Sequence, residues 1–417
     1  MNARSAGRRD EAHRLLRAVL ASQPDQPVAR NVLGLDAMAA GQAASAADHF
    51  EAALRSEPAA IPVWLNLAGA HRALGRAEEE RRALLAVLDI DQRQLSALIR
   101  LAELHERRGE MHDAAIRWAG VAQLASQHED APPTLQERFD HARAFVRAQT
   151  EAVAGRVEAG LADRLATASP RDRRRLTAAS EAMLGRRAVF TNICSGMHYP
   201  FLPADEYFDR EHFPWLERLE AATDVIRAEV EAILARRDDV LRPYVAMAPG
   251  TPENKWSVLD GKRDWSALHL WNEGRRVDEA CALAPRTAEI VEQLPLCRIP
   301  GRAPSVFFSI LRAGKHIPAH TGVTNVRAIV HLPLIVPGRC EFRVGGETRA
   351  WEEGQAFAFD DTIDHEAWNR SDQDRAVLII DTWNPHLSED ERSMIAQLFA
   401  IADEVKAGGT ASARFSD

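Results

Sequence analysis

Two histidines, His320 and His365, sit in turn-like contexts between β-patterned runs and are the strongest candidates for holding a metal ion. The first stands in Pro318-Ala319-His320-Thr321-Gly322, ahead of the alternating run Val326 to Leu332. The second closes Asp360-Asp361-Thr362-Ile363-Asp364-His365, and ten residues later Arg375 heads the apolar run Ala376-Val377-Leu378-Ile379-Ile380. Imidazole suits Fe, Zn, Cu and Ni, and two imidazoles on neighbouring strands of a small barrel can share one ion. A guanidinium on the strand after the second histidine can hold a carboxylate with two parallel hydrogen bonds. The spacing alone therefore speaks for a metal next to an anion anchor.

The elements that must position these residues follow from periodicity. After Pro304 the chain alternates with period two at Val306-Phe308-Ile310, Ile329-His331-Pro333, Phe342-Val344, Ala356-Ala358 and Val377-Ile379, between Gly, Asn and Asp turns. That pattern predicts a double-stranded β-helix, the jelly-roll (cupin-like) barrel. Upstream, Pro214 to Arg236 and Val277 to Leu294 read as flanking helices. Gly7, Gly41, Gly75 and Gly109 recur every 34 residues, with Ala12, Ala46, Glu80 and Ala114, then Leu16, Phe50, Leu84 and Trp118, in the same frame. Pro24 and Pro58 close the first two units. This is the tetratricopeptide period: glycine ends the inter-helix turn, small residues let helices cross closely, and proline stops the second helix. Glu80 and Gln92 break the pattern in the third unit. The fold class is α+β multidomain. We expect a tetratricopeptide α-solenoid over 1–126, linking and closing helices over 127–190, the barrel over 191–405, and a disordered tail over 406–417.

Composition narrows the function classes. The 417 residues carry a net charge of −9, which argues against nucleic acid and anionic membranes as partners. Four cysteines lie far apart with no CxxC pair, which fits a reduced compartment and not a structural zinc site. No run approaches the 18 apolar residues of a membrane span, and residues 1–10 lead into an amphipathic pattern and not an apolar signal core. Lysine occurs only at 255, 262, 315 and 406 while arginine abounds, a bias of bacterial type. The expected location is the bacterial cytoplasm.

Several motifs carry a resemblance. Phe308-Ser309-Ile310, His320-Thr321-Gly322-Val323-Thr324-Asn325, His331-Leu332, Glu347 to Gly354, Phe359-Asp360-Asp361, His365-Glu366-Ala367-Trp368 and Asp381-Thr382-Trp383-Asn384-Pro385 stand in order over about 80 residues. Leu270 to Arg276 and Ala284 to Thr287 extend them upstream. Together they resemble the aspartyl/asparaginyl β-hydroxylases, which are iron(II)- and 2-oxoglutarate-dependent dioxygenases. The likeness covers roughly 195 to 400.

The resemblance implies roles. His320 and His365 become the Fe(II) ligands. The usual carboxylate two residues after the first histidine is Gly322 here, a glycine the family shares and is thought to replace with water; Asp361 or Asp364 could instead fill the gap. Arg375 matches the arginine that holds the distal carboxylate of 2-oxoglutarate, Ser309 its hydroxyl partner, and His331 a contact at the metal end. Arg327, Ile329 and His331 alternate and should point into the barrel. Arg327 resembles one half of a substrate clamp whose other arginine is replaced by Ile329, which disfavours an acidic substrate group. Asp361 and Trp271 are further candidate substrate contacts, with Trp271 and Arg275 on a helical lobe. The implied activity is hydroxylation of a C–H, with succinate and CO2 as co-products. Its substrate would be a peptide, protein or carrier-bound small molecule recruited by the repeats, which could also form a homodimer. The alternative is a non-catalytic metal- and 2-oxoglutarate-binding sensor or scaffold on a repeat module.

Overall fold

The computed structural model of the chain describes residues 9–128 and 130–407. It divides into two compact units, Met1–Thr167 and Ala168–Asp417. Gly7 and, from residue 408 onward, the expected tail lie outside the described residues, while 406 and 407 end the helix Glu389–Ala407.

The first unit is the expected helical solenoid. Helices Pro27–Ala39 and Ala43–Ser56, Ile61–Ala73 and Ala77–Ile90, and Leu95–Arg108 and Met111–Leu124 form successive pairs, ended by the long helix Pro133–Thr167. The frame residues Phe50, Leu84 and Trp118 are fully buried, as are Ala46 and Ala114. Helices cross so closely that a β-carbon on Gly34 would come within 2.5 Å of the Phe50 ring. Gly41, Gly75 and Gly109 adopt φ of +74°, +71° and +74°, the left-handed turn that glycine takes without penalty. Glu80 is not a defect in the third unit. It is buried, and Arg107 donates to both of its oxygens at 2.9 and 3.0 Å, so a guanidinium replaces the close crossing that a small residue would allow.

The second unit contains two antiparallel sheets. Its strands are β1 (Arg242–Pro243), β2 (Trp265–Asn272), β3 (Arg275–Arg276), β4 (Val306–Leu311), β5 (His316–His320), β6 (Arg327–Ile335), β7 (Cys340–Val344), β8 (Glu347–Ala350), β9 (Phe357–Phe359), β10 (His365–Asn369) and β11 (Arg375–Trp383). Seven strands follow the order β1-β2-β4-β11-β6-β9 with β3 beside β2, and four follow β5-β10-β7-β8. Register assigns the faces. Phe308, Ile310, Val330, Leu332, Ala376, Leu378 and Ile380 pack outward on the helices Leu216–Glu220, Thr223–Ala235 and Pro285–Glu292. Trp265, Leu311, Ile329, Val377 and Phe359 pack inward against Ile317, Phe342, Val344 and Ala367 of the smaller sheet. Both faces of β2 are largely covered, and Ser266 and His269 fall on opposite faces among its apolar residues, so no period-two pattern marked it in the sequence.

Candidate active site

His320 at the end of β5 and His365 at the start of β10 are direct register partners, with ring centroids 4.1 Å apart. The Nδ1 of His320 lies 2.7 Å from the Pro318 carbonyl, and that of His365 lies 3.0 Å from the Ile363 carbonyl. A carbonyl only accepts, so each ring carries its proton on Nδ1 and leaves the Nε2 lone pair free, the tautomer a metal requires. Burial lowers the pKa of both rings, that of His365 well below the ordinary value, so both are neutral at pH 7. An extended segment ties the two turns together: Asn192 donates to Asp360 and Thr362, Ile193 N–H to the Thr362 carbonyl, and Gly196 N–H to Val323.

Arg375 lies at the head of β11 and points into the barrel, 2% exposed. Its one hydrogen bond is long, from Nη2 to Ser309 Oγ at 3.4 Å, and its Nε has no partner. Asp372 and Asp374 make no ion pair with it; instead the guanidinium lies 4.8 Å above the Trp351 ring. Burial alone pulls its pKa down to about 10. His331 stacks on the other side of the same corner, 5.4 Å from Trp351 and nearly parallel, with its Nδ1 unpaired. Trp351 Nε1 is unpaired as well. A buried polar atom without a partner costs about 1–3 kcal/mol, so three around one corner, beside an uncompensated cation, fit a missing anionic ligand. Ser309 is held by Trp265, whose Nε1 donates to Oγ at 3.0 Å.

Gly322 has a packing reason. A β-carbon there would come within 2.1 Å of Asp361 Oδ2 and 2.6 Å of Oδ1, so the Asp361 carboxyl occupies the space a side chain at 322 would need. Asp364 is turned away, accepting from Arg343 at 2.7 Å. Among the described residues no His, Cys, Asp or Glu joins His320 and His365 in a three-residue cluster tight enough for one ion. Burial pushes the Asp361 carboxyl up to about 7, although Arg327 opposes the shift. Arg327 Nη1 donates to Asp381 at 2.8 Å; burial works against its charge, but Asp381 and Asp361 outweigh that and raise its pKa.

The structure brings His320, His365, His331, Ser309, Arg375, Arg327 and Asp361 to the inner side of the second unit, between its two sheets. Trp271 is a correction. It lies on a strand and not a helical lobe, and the shift of register between His269 and Trp271 turns it to the outer face. There it is 4% exposed, within the core behind the sheet, with Arg276 over its ring. Four aromatic residues were missed. Trp351 closes the anion corner, Trp256 lies edge-on to His320 at 5.0 Å, and Trp265 stacks on Tyr244 at 3.9 Å. Trp351 stands within the quoted motif Glu347 to Gly354; the others had no periodic signal.

Residues 220–385 match the family model for aspartyl/asparaginyl beta-hydroxylase. Over that segment the chain is similar to the aspartyl/asparaginyl β-hydroxylases. Over 136 residues, 32% of this chain, it is 40% identical to human aspartyl/asparaginyl beta-hydroxylase, of which it spans 18%. Over 194 residues, 45% of this chain, it is 32% identical to an ornithine lipid ester-linked acyl 2-hydroxylase of Rhizobium tropici, of which it spans 64%. The chain thus covers less than two thirds of either relative. The solved structure of MamA is similar over 36% of this chain and 95% of its own, at 16% identity and a TM-score of 0.28. Among the described residues no helix is long and apolar enough to cross a membrane.

Proposed function

We propose that the second unit is an iron(II)- and 2-oxoglutarate-dependent hydroxylase acting on a substrate that the helical repeats recruit. The observation that carries this is the buried, unpaired Arg375 guanidinium facing Ser309, in the same interior as two histidines whose Nε2 atoms are free. The named activities of the human and Rhizobium relatives, both hydroxylases, support it. His320 and His365 would hold the iron, and Arg375 with Ser309 would take the far carboxylate of 2-oxoglutarate as a charge-assisted pair. His331 and Trp351 supply the remaining polar atoms of that corner. With dioxygen as the oxidant, the two groups when bound would supply the chemistry that puts one oxygen atom into a substrate C–H and the other into succinate, with release of CO2.

The chain's own part is orientation and exclusion of water. The carbonyls of Pro318 and Ile363 fix the imidazole tautomers, and Phe342, Phe359 and Trp351 wall the corner with apolar surface. The Asp361 carboxyl fills the space beside Gly322 with one oxygen, Oδ1, unpaired, and would be available to a substrate polar group. Purified protein should release succinate from 2-oxoglutarate only when iron(II) is present, and His320→Ala and His365→Ala should each abolish it. Succinate release that persists in either variant would remove the proposal.

A further inference from the structure

The second unit also holds a cavity of about 380 Å3 beside the edge strand β9, a volume within the range of small-molecule sites. None of His320, His365, Ser309 and Arg375 lines it, although its Phe357 also packs 5.5 Å from the His331 ring. Phe208, Phe213, Leu216 and Ala358, all buried, give it an apolar floor. Its rim carries four guanidiniums, Arg171, Arg174, Arg210 and Arg349, against two carboxylates, Asp209 and Glu352. Arg171 and Arg174 share one side of the helix Pro170–Met183, which begins at the cavity and adds the positive end of its dipole.

Three of these guanidiniums are gripped by their inner nitrogens. Arg171 Nε lies 2.9 Å from Asp209, and its Nη1 donates to Glu211 at 2.6 Å. Arg174 donates from Nε to Glu347 and from Nη1 to the Tyr207 carbonyl, both at 2.9 Å. Arg349 donates from Nε to the other Glu347 oxygen at 2.7 Å and lies over the Tyr207 ring. One terminal nitrogen of each makes no hydrogen bond among the described residues: Nη2 of Arg171, Nη2 of Arg174 and Nη1 of Arg349. Such a nitrogen donates and cannot accept, so it is matched by a group that brings acceptors alone. Arg210 differs, since Glu220 takes both of its terminal nitrogens.

We propose that this cavity binds an organic anion, a carboxylate or phosphate head on an apolar body, at a site separate from the two histidines. The head meets the uncommitted guanidinium nitrogens through charge-assisted hydrogen bonds, and the body covers the Phe208, Phe213 and Leu216 floor. Glu347 already orients Arg174 and Arg349, so little side-chain ordering is left to oppose binding. A neutral apolar molecule leaves the donors unmatched, and a bare inorganic anion leaves the floor wet. The proposal needs no iron and stands apart from the hydroxylase reading.

Isothermal titration calorimetry of the full chain, without added metal, tests it with octanoate and octyl phosphate. The body alone is represented by 1-octanol and the head alone by inorganic phosphate. One molecule per chain should bind, about tenfold or more tightly than either fragment, and the tighter of the two probes identifies the head. Arg174→Met removes one cation while Glu347 keeps Arg349 as its partner, and Ala350→Phe fills the cavity from an exposed place on the rim. Each should weaken binding about tenfold or more, with folding checked by circular dichroism; Arg349→Met replaces either variant that does not fold. Arg375→Met, titrated alongside, should bind as the wild type does. Absence of binding, fragments that bind as tightly as the probes, or an unchanged affinity in any folded cavity variant would overturn the proposal. Loss of binding in Arg375→Met would also overturn it, by moving the anion to the corner of Arg375 and Ser309.

Discussion

Replacing Arg375 with methionine should leave the ligand-free protein as stable as the wild type or slightly more so, while removing its response to 2-oxoglutarate. The guanidinium is 2% exposed and has no acidic partner. A pKa lowered from 12.5 to about 10 corresponds to about 3 kcal/mol of penalty on the charged form at neutral pH. Methionine removes that penalty. It also forfeits the contact with the Trp351 ring, worth up to about 2 kcal/mol when desolvated, and a weak bond to Ser309. The net change is a stabilisation of about 1 kcal/mol or less, small because the two terms nearly cancel. Ligand binding changes the balance: at a hundredfold excess over Kd, 2-oxoglutarate with manganese(II) should stabilise the wild type by about 2.7 kcal/mol. For a domain of this size that raises Tm by about 5–10 °C. The variant should show about a third of that rise or less, because losing one partner of a buried ion pair costs about 2–5 kcal/mol of affinity. Thermal unfolding followed by tryptophan fluorescence, with and without 2-oxoglutarate, measures both quantities. A ligand-free variant less stable by several kcal/mol would refute the reasoning, since Arg375 would then be a structural prop. An undiminished ligand shift would refute it equally.

Three other outcomes follow from packing and charge. Asp361 is raised to about 7, so the folded state holds its proton between pH 4 and 7 where the unfolded chain releases it. Stability should therefore fall as pH rises through that window, by up to about 1.4 kcal/mol per pH unit. Asp361→Asn should flatten that dependence in urea unfolding at pH 5 and pH 8. Gly322→Ala should lower iron retention and succinate release by forcing its β-carbon into the Asp361 carboxyl, and Asp361→Gly in the same chain should restore stability by clearing the space. In the repeats, Arg107→Met leaves the Glu80 carboxylate buried and unpaired and should destabilise the first unit by about 3 kcal/mol, whereas Glu80→Ala together with Arg107→Met should cost far less. Circular dichroism during denaturation separates the two cases.

The parts legible in the sequence are those where one residue's type and one short period decide the outcome. A 34-residue repeat fixed the helix pairs, because Phe50, Leu84 and Trp118 fall on one buried place. Alternation at Arg327, Ile329 and His331 fixed which face of β6 looks inward, since the polar Arg327 and His331 share one face while Ala328, Val330 and Leu332 fill the other. What stayed hidden depends on contacts between distant segments. β2 lacks alternation because both its faces are buried, and the register shift after His269, invisible in any local pattern, decides that Trp271 faces the outer core. Glu80 reads as a broken repeat until Arg107, 27 residues on, is found across from it.

The same distinction applies to Gly322. Read along the chain it is a missing ligand; in space it is the gap into which Asp361, from the turn before the second histidine, fits its carboxyl. A carboxylate side chain at 322 and the present position of Asp361 exclude each other, so an aspartate placed there alone cannot rebuild a two-histidine, one-carboxylate set. The acid at this place comes from the turn before the second histidine, where Arg327 acts on its charge. Asp361 thus lies beside Arg327, and among the described residues no carboxylate joins the two imidazoles in a cluster tight enough for one ion. The absence of a side chain at 322 and the place of the Asp361 carboxyl are thus one packing choice, and a change at either residue should disturb the other.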